Sequence, residues 1–201
     1  MTARPRSSKA SPAIGDKRQA ILRAALEVFA ERGVNGVAVP EIAARAGVGT
    51  GTIYRYFDSK DVLVNELYRA EKQALGERLN RGIDPDMEPY ALFVEFWQRL
   101  TAFAREQPHA YRFLELQDHL PYLDPASRAL ERQVLTPIYL RVRALQKRGV
   151  YRSDIRAEVL MALVWGAFVN LFKTERQGLV LLGAEDIAAA RDACWRMCTA
   201  S

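Results

Sequence analysis

The chain has 201 residues, room for one large domain or two modest ones. At 49% hydrophobic and 26% charged, its composition excludes fibrous and wholly disordered classes. The formal net charge of +5 sits mostly in the first third: residues 1–70 hold 11 Lys/Arg against 7 Asp/Glu, and residues 71–201 hold 18 against 17. That asymmetry fits a polyanion partner at the N-terminal end, and equally a basic tail that aids solubility.

Residues 1–14 are rich in Ser, Pro and Ala and read as a disordered basic tail. Arg4, Arg6 and Lys9 could enter a minor groove as a flexible arm; a plain solvated tail is the simpler reading. No apolar stretch follows, so the N-terminus does not read as a secretory signal. From Asp16 the pattern is helical almost to the end. Asp16 with Gln19 fits a capping box, and Ile21, Leu22, Ala25, Leu26, Val28 and Phe29 form a stripe at helical spacing. Gly33 closes that helix. Short helices follow around 40–46 and 51–57, and Ser59 caps a longer one with Asp61 in its first turn.

Five more helices follow. In the first, Phe93, Phe96, Trp97, Leu100 and Phe103 share one face, and the helix ends before Pro108. Residues 109–119 form a shorter one closed by Pro121, and residues 126–148 a long one in which Pro137 predicts a kink or break. The last two span 155–176 and 184–198. No segment alternates at period two, so the fold class is all-α, with about nine helices. The expected organisation is a tail over 1–14, a small three-helix domain over 15–60, and a larger helical domain over 61–201.

The segment Val39 to Lys60, VPEIAARAGVGTGTIYRYFDSK, has the ingredients of a helix-turn-helix. Ala43, Ala44 and Ala46 let two helices approach, Gly47 turns the chain, and Val48, Ile53 and Ile42 can fill the interface. The second helix offers Thr, Tyr and Arg, side chains that reach phosphates or base edges. Read alone, Tyr54, Tyr56 and Phe57 could be plain core aromatics. Phe57 is assigned to the core; Tyr54 and Tyr56 lie on different faces, so at least one is expected to be exposed.

The run from Ile42-Ala43 through Ala46-Gly47-Val48 and Gly51-Thr52-Ile53-Tyr54-Arg55-Tyr56-Phe57 to Ser59-Lys60 and Leu63 closely resembles the TetR family of bacterial repressors. The resemblance implies that Thr50, Gly51 and Thr52 approach base edges, that Tyr54, Tyr56 and Lys60 bind phosphates, and that Arg55 reaches a guanine or a phosphate. Ala38 and Gly49 depart from the Ser or Thr often found there, which puts phosphate contacts in doubt more than the fold. The resemblance further implies a repressor function, a small-molecule effector and a dimer. Activation in place of repression stays open.

For the effector, an apolar or aromatic molecule, the candidate pocket residues are Phe93, Phe96, Trp97, Leu100, Tyr111 and Leu114, with Trp165 and Phe168. Gln117, Asp118, His119 and Asn170 are the candidate polar groups. Such aromatics serve equally well as core.

The helix at 155–176 is apolar nearly all round, so one side should meet a second chain. Val159, Leu163, Gly166 and Ala167, with Cys194 and Trp195 on the last helix, are the candidate dimer interface, in a four-helix bundle about a two-fold axis. Its apolar run, Val159 to Phe172, is shorter than the roughly 20 residues of a membrane span. Two cysteines are too few for a disulfide framework, and a cytoplasmic protein fits best. Cys194 and Cys198 lie at i, i+4, which suits packing better than a redox or metal site.

No metal or cofactor is expected. Asp118 beside His119 lacks a third partner, and no nucleophile elbow or phosphate loop appears, so an enzyme is not expected. A DNA-binding regulator that senses no ligand, and acts by oligomerising or through a protein partner, is the remaining alternative. A cavity among residues 90–172 would favour the sensor and a filled core the alternative. The helix from Ser59 onward, shared by both regions, is the expected lever.

Overall fold

The computed structural model describes residues 14–84, 86–115 and 121–199. Within them lie nine α-helices and no strand. They are α1 (Ile14–Arg32), α2 (Val39–Ala46), α3 (Thr50–Tyr56), α4 (Lys60–Asn80), α5 (Pro89–Glu106), α6 (Pro108–Glu115), α7 (Pro125–Lys147), α8 (Ala157–Arg176) and α9 (Ala184–Thr199). The all-α expectation holds. The chain divides into two compact units, Met1–Leu63 and Val64–Ser201.

In the first unit, α1 packs on α2 and α2 on α3. The α1 stripe buries Ile21, Leu22, Ala25, Val28 and Phe29, which meets the buried Ile42 and Ala43 of α2 and Ile53 of α3 in one core. Each large side chain contributes roughly 1.5–3 kcal/mol by leaving water. Arg45 of α2 reaches Glu27 and Glu31 of α1 at 3.0 and 3.2 Å, exposed pairs that add little. Asp16 is not the cap expected from the sequence: α1 begins two residues earlier, so its carboxylate lies inside the first turn, where it still favours the helix dipole.

In the second unit, α5 buries Phe93, Trp97, Leu100 and Phe103. Trp97 meets Phe168 edge-on at 5.3 Å, and Phe168 lies 4.8 Å from Phe172. Tyr111 closes the cluster, edge-on to Phe168 at 6.2 Å. Of the kink or break expected at Pro137, the break is absent: α7 runs through it. Proline leaves the Gln133 carbonyl without its helical donor. Gln133, Thr136 and Pro137 are all exposed, so water can serve that carbonyl. The neighbouring Thr136 hydroxyl donates to Arg132 O at 2.7 Å. The other boundaries fall within two residues of expectation where they are described. Residues 116–120, and with them the expected end of the 109–119 helix, lie outside the described residues, as does the tail over 1–13.

Candidate functional site

In the first unit the turn between α2 and α3 is set by Gly47, whose φ of 66° is left-handed. Its N–H and that of Val48 bond Ala44 O and Ala43 O at 3.2 and 3.0 Å, closing the end of α2. Ala38 caps α2 without a side-chain bond. Glu41 supplies the missing half by accepting the Ala38 N–H at 3.1 Å, and it also pairs with Arg32. Gly49 caps α3 with its carbonyl alone, which accepts from Thr52 N at 2.8 Å.

Ile53 and the adjoining Phe57 are buried and fix which face of α3 turns outward. That outward face holds Gly51, Tyr54 and Arg55, all exposed, with Tyr54 at 50%; Thr50, Thr52 and Tyr56 are half-buried beside them. Nothing lies within 4 Å of the place where a Cβ on Gly51 would sit, so its backbone is open to close approach. The Arg55 guanidinium lies over the Tyr56 ring at 5.5 Å, which preorganises both. Lys60 donates its ammonium to Val37 O at 2.6 Å, and this ties the start of α4 to the chain just before α2.

The second unit contains a cavity of about 680 Å³. Leu75 and Leu79 of α4, Phe96 of α5, Val134 and Val142 of α7 and Trp165 of α8 give it a largely apolar wall. At Gly76, α4 comes so near α7 that a Cβ would stand 3.0 Å from a Val134 methyl. Among the charged side chains on its lining, Glu115 and Glu131 both stand close to Lys72. Lys72 is 7% exposed, and its ammonium stands 3.9 Å from Glu115 and 4.0 Å from Glu131, too far for hydrogen bonds. The Glu115 side chain is 6% exposed, and its Oε1 has no hydrogen-bond partner. Burial pushes the Glu115 carboxyl above its ordinary range, while Lys72 and the Trp165 indole oppose that rise. Tyr68, buried beside Glu131, is likewise pushed up, mainly by burial.

Cys198 also borders the cavity. Burial pushes its thiol up to about 11 and raises Cys194 as well, so neither is a thiolate at neutral pH. Among the described residues, no group of three or more His, Cys, Asp or Glu side chains is placed to hold a metal ion.

A family model described as "Bacterial regulatory proteins, tetR family" matches residues 21–67, and one described as "Tetracyclin repressor-like, C-terminal domain" matches residues 69–200. The chain belongs to the TetR family of transcriptional regulators. Members of this family are DNA-binding regulators and not enzymes. The chain is 29% identical over 189 residues to the HTH-type transcriptional repressor BepR of Brucella suis biovar 1 (strain 1330), covering 88% of this chain and 89% of that protein. A solved TetR-family regulator from Vibrio parahaemolyticus superposes with a TM-score of 0.72 at 26% identity, covering 90% of this chain and 98% of that one. Another, from Marinobacter aquaeolei VT8, shares the fold with a TM-score of 0.80 at 20% identity, over 92% and 96% of the two chains.

Within this TetR-family chain the expected pocket residues divide. Phe93, Phe96, Leu114 and Trp165 line the cavity. Trp97, Leu100, Tyr111 and Phe168 do not; all four are buried, with Trp97 and Tyr111 edge-on to Phe168. Asn170 is exposed and donates to Gly166 O at 2.9 Å, the satisfied amide of a helix surface and not a pocket group. Gln117, Asp118 and His119 lie outside the described residues.

Of the expected interface residues, Val159, Leu163 and Ala167 form an exposed stripe on α8, with the half-buried Gly166 beside them. Cys194 is instead buried within its own unit. Trp195 packs its ring on Tyr90, Phe93 and Tyr151 at 5.3–5.5 Å. Helix α8 is also the one described helix long and apolar enough to cross a membrane, but only 22% of that window is buried.

The sequence reading missed Lys72, Glu115 and Glu131. A signal existed: Tyr68, Lys72, Leu75 and Leu79 follow one helical stripe in which Lys72 is the only charge. A charged residue inside an apolar stripe marks either a snorkelling side chain or a polar site, and burial decides for the second.

Proposed function

We propose that this protein is a homodimeric repressor whose DNA affinity falls when a small, largely apolar molecule occupies the cavity of the second unit. The cavity carries the reading: about 680 Å³ of largely apolar space with a few charged groups has the size and character of a small-molecule site. The cavity therefore favours the sensor over a regulator that works through oligomerisation or a protein partner alone.

Residues Thr50, Gly51, Thr52 and Arg55 meet base edges, and Tyr54, Tyr56 and Lys60 meet phosphates. The stripe of Val159, Leu163 and Ala167 joins two copies about a two-fold axis. Two recognition helices would then address half-sites roughly 34–36 Å apart on one two-fold-symmetric operator. Helix α4 begins at Lys60 and contributes Lys72, Leu75 and Leu79 to the cavity, so it is the element through which occupancy biases DNA affinity. The protein is proposed to act in the cytoplasm, where its DNA is. Selection of bound sequences from random duplexes tests the DNA half: a palindrome with half-sites one turn apart supports it, and a single unpaired half-site bound by a monomer counts against it.

A further inference from the structure

We infer that the cavity selects a lipophilic amine in its protonated form, seated with its ammonium on Glu115. The inference rests on the reading of the cavity as the effector site and adds the charge of the ligand.

The walls are mostly apolar, yet Glu115 Oε1 is buried there without a donor. A buried acceptor left unmade is costly, and an occupant that supplies a donor recovers the loss. The charge count at this end gives the sign. Lys72 stands between Glu115 and Glu131, one cation facing two carboxylates, neither within hydrogen-bonding distance. Among the described residues, the other charges bordering the cavity are Arg132, Arg141 and Glu158, which like Glu131 are exposed or half-buried, so the buried Glu115 is the carboxylate with least access to water.

An anionic ligand fits this end poorly. The Lys72 ammonium already faces both carboxylates and lies 5.9 Å from the Tyr68 ring centroid, so an incoming anion would meet Glu115 and Glu131 with it. A protonated amine gains on each count. It donates to Oε1 and balances the second carboxylate, in a space also lined by the rings of Trp165, Phe96 and Tyr139. A ligand's apolar body then fills the region bounded by Leu75, Leu79, Val134 and Val142.

Calorimetric titration of the full-length protein with 2-naphthylmethylammonium, 2-naphthylmethanol and 2-naphthoate tests this. The three share one ring system and carry a positive, a neutral and a negative end. The ammonium should bind about tenfold tighter than either analogue, the order of a charge-assisted hydrogen bond. Glu115→Gln should abolish that preference while the alcohol's affinity stays within about threefold. Equal or tighter binding of the alcohol or the naphthoate to the unaltered protein overturns the inference, and this comparison needs no variant to fold. Absence of ammonium binding overturns it too. DNA binding separates the two claims. If the ammonium binds selectively but leaves DNA affinity unchanged, the charge class stands and the switch fails. If an analogue other than the ammonium releases DNA, the switch stands and the charge class fails.

Discussion

Asn65 and Ser127 are joined by a hydrogen bond of 2.8 Å in the interior of the second unit, the Ser127 hydroxyl donating to the Asn65 amide oxygen. Asn65 lies on α4 and Ser127 in the first turn of α7. The same amide oxygen accepts from Asp124 N at 2.8 Å, and the amide nitrogen donates to Tyr122 O at 2.8 Å. Asp124 caps α7 through Ser127 N at 2.7 Å and pairs with Arg69 at 2.9 Å. One amide therefore serves three groups. We predict that Asn65→Ala costs about 2–4 kcal/mol, since it leaves several buried groups unmade. Asn65→Asp should cost at least as much, because it keeps the acceptor but sets a buried carboxylate oxygen against Tyr122 O. Urea denaturation checks both; an unchanged midpoint for Asn65→Ala would show that water replaces the amide.

Glu115 makes a pH prediction whose sign follows from its raised pKa. The folded protein holds this proton more tightly than the unfolded chain does. Its contribution is therefore most favourable below the ordinary carboxylate value of 4.5 and is lost as pH rises through the raised folded value. The groups facing it are Lys72, Glu131, Tyr111 and Trp165. Lys72 also stands 4.0 Å from Glu131, so the variant still offers it a counter-charge. Glu115→Gln should raise the melting temperature relative to the unaltered protein at about pH 8, and the gain should shrink towards about pH 4. A gain that grows on acidification contradicts the assignment. Asp124, held low by its bonds to Ser127, acts in the opposite direction and is present in both proteins.

Phe168 and Phe96 should part company on truncation. Phe168 is wholly buried among Trp97, Tyr111 and Phe172, so Phe168→Ala should cost roughly 3–5 kcal/mol. Phe96 is half-buried on the cavity wall and already lacks neighbours on one side, so Phe96→Ala should cost less. Chemical denaturation ranks them, and an equal loss for both would mean that the cavity wall is packed as tightly as the core.

Leu163 tests the apolar stripe of α8. It is 45% exposed in the single chain, and Val159 and Ala167 flank it one turn away on each side. Leu163→Arg should convert a dimer to a monomer in light scattering while the helical circular dichroism is kept. A monomeric unaltered protein, or a variant of undiminished mass, removes the stripe from the interface.

Lys60 and Thr50 should affect DNA differently. Lys60→Ala should weaken binding to all sequences and lower the salt slope by about 1, as loss of one phosphate contact does. Thr50→Ala or Arg55→Ala should shift sequence preference instead. Salt-dependent titrations on two duplexes distinguish these, and a Lys60→Ala protein with an unchanged slope leaves its ammonium only the role of bonding Val37 O.

The legible parts of the molecule are those written locally. Gly47, Ile53 and Phe57 act within a few residues of one another, so spacing alone announces the turn and the inward face of α3. The α8 stripe is similarly local. Periodicity does not separate core from cavity wall, because Phe93, Phe96, Trp97 and Leu100 all point to the apolar side of α5. Only the packing of α8 decides which of them meets Phe168 and which meets empty space. The charged interior was the least legible part. Lys72, Glu115 and Glu131 come from three helices far apart in sequence, and their meeting exists only in the folded unit. Pro137 does not break α7, because its face is exposed and water can substitute for the lost helical bond.

The central claim is that occupancy of the cavity is coupled to DNA affinity. Its most direct test is the dissociation constant for the selected palindrome, measured with and without 2-naphthylmethylammonium at a concentration that calorimetry shows to fill the cavity. A coupling of the usual size predicts DNA binding weakened by about 5- to 150-fold. An unchanged constant with the cavity full would contradict the account.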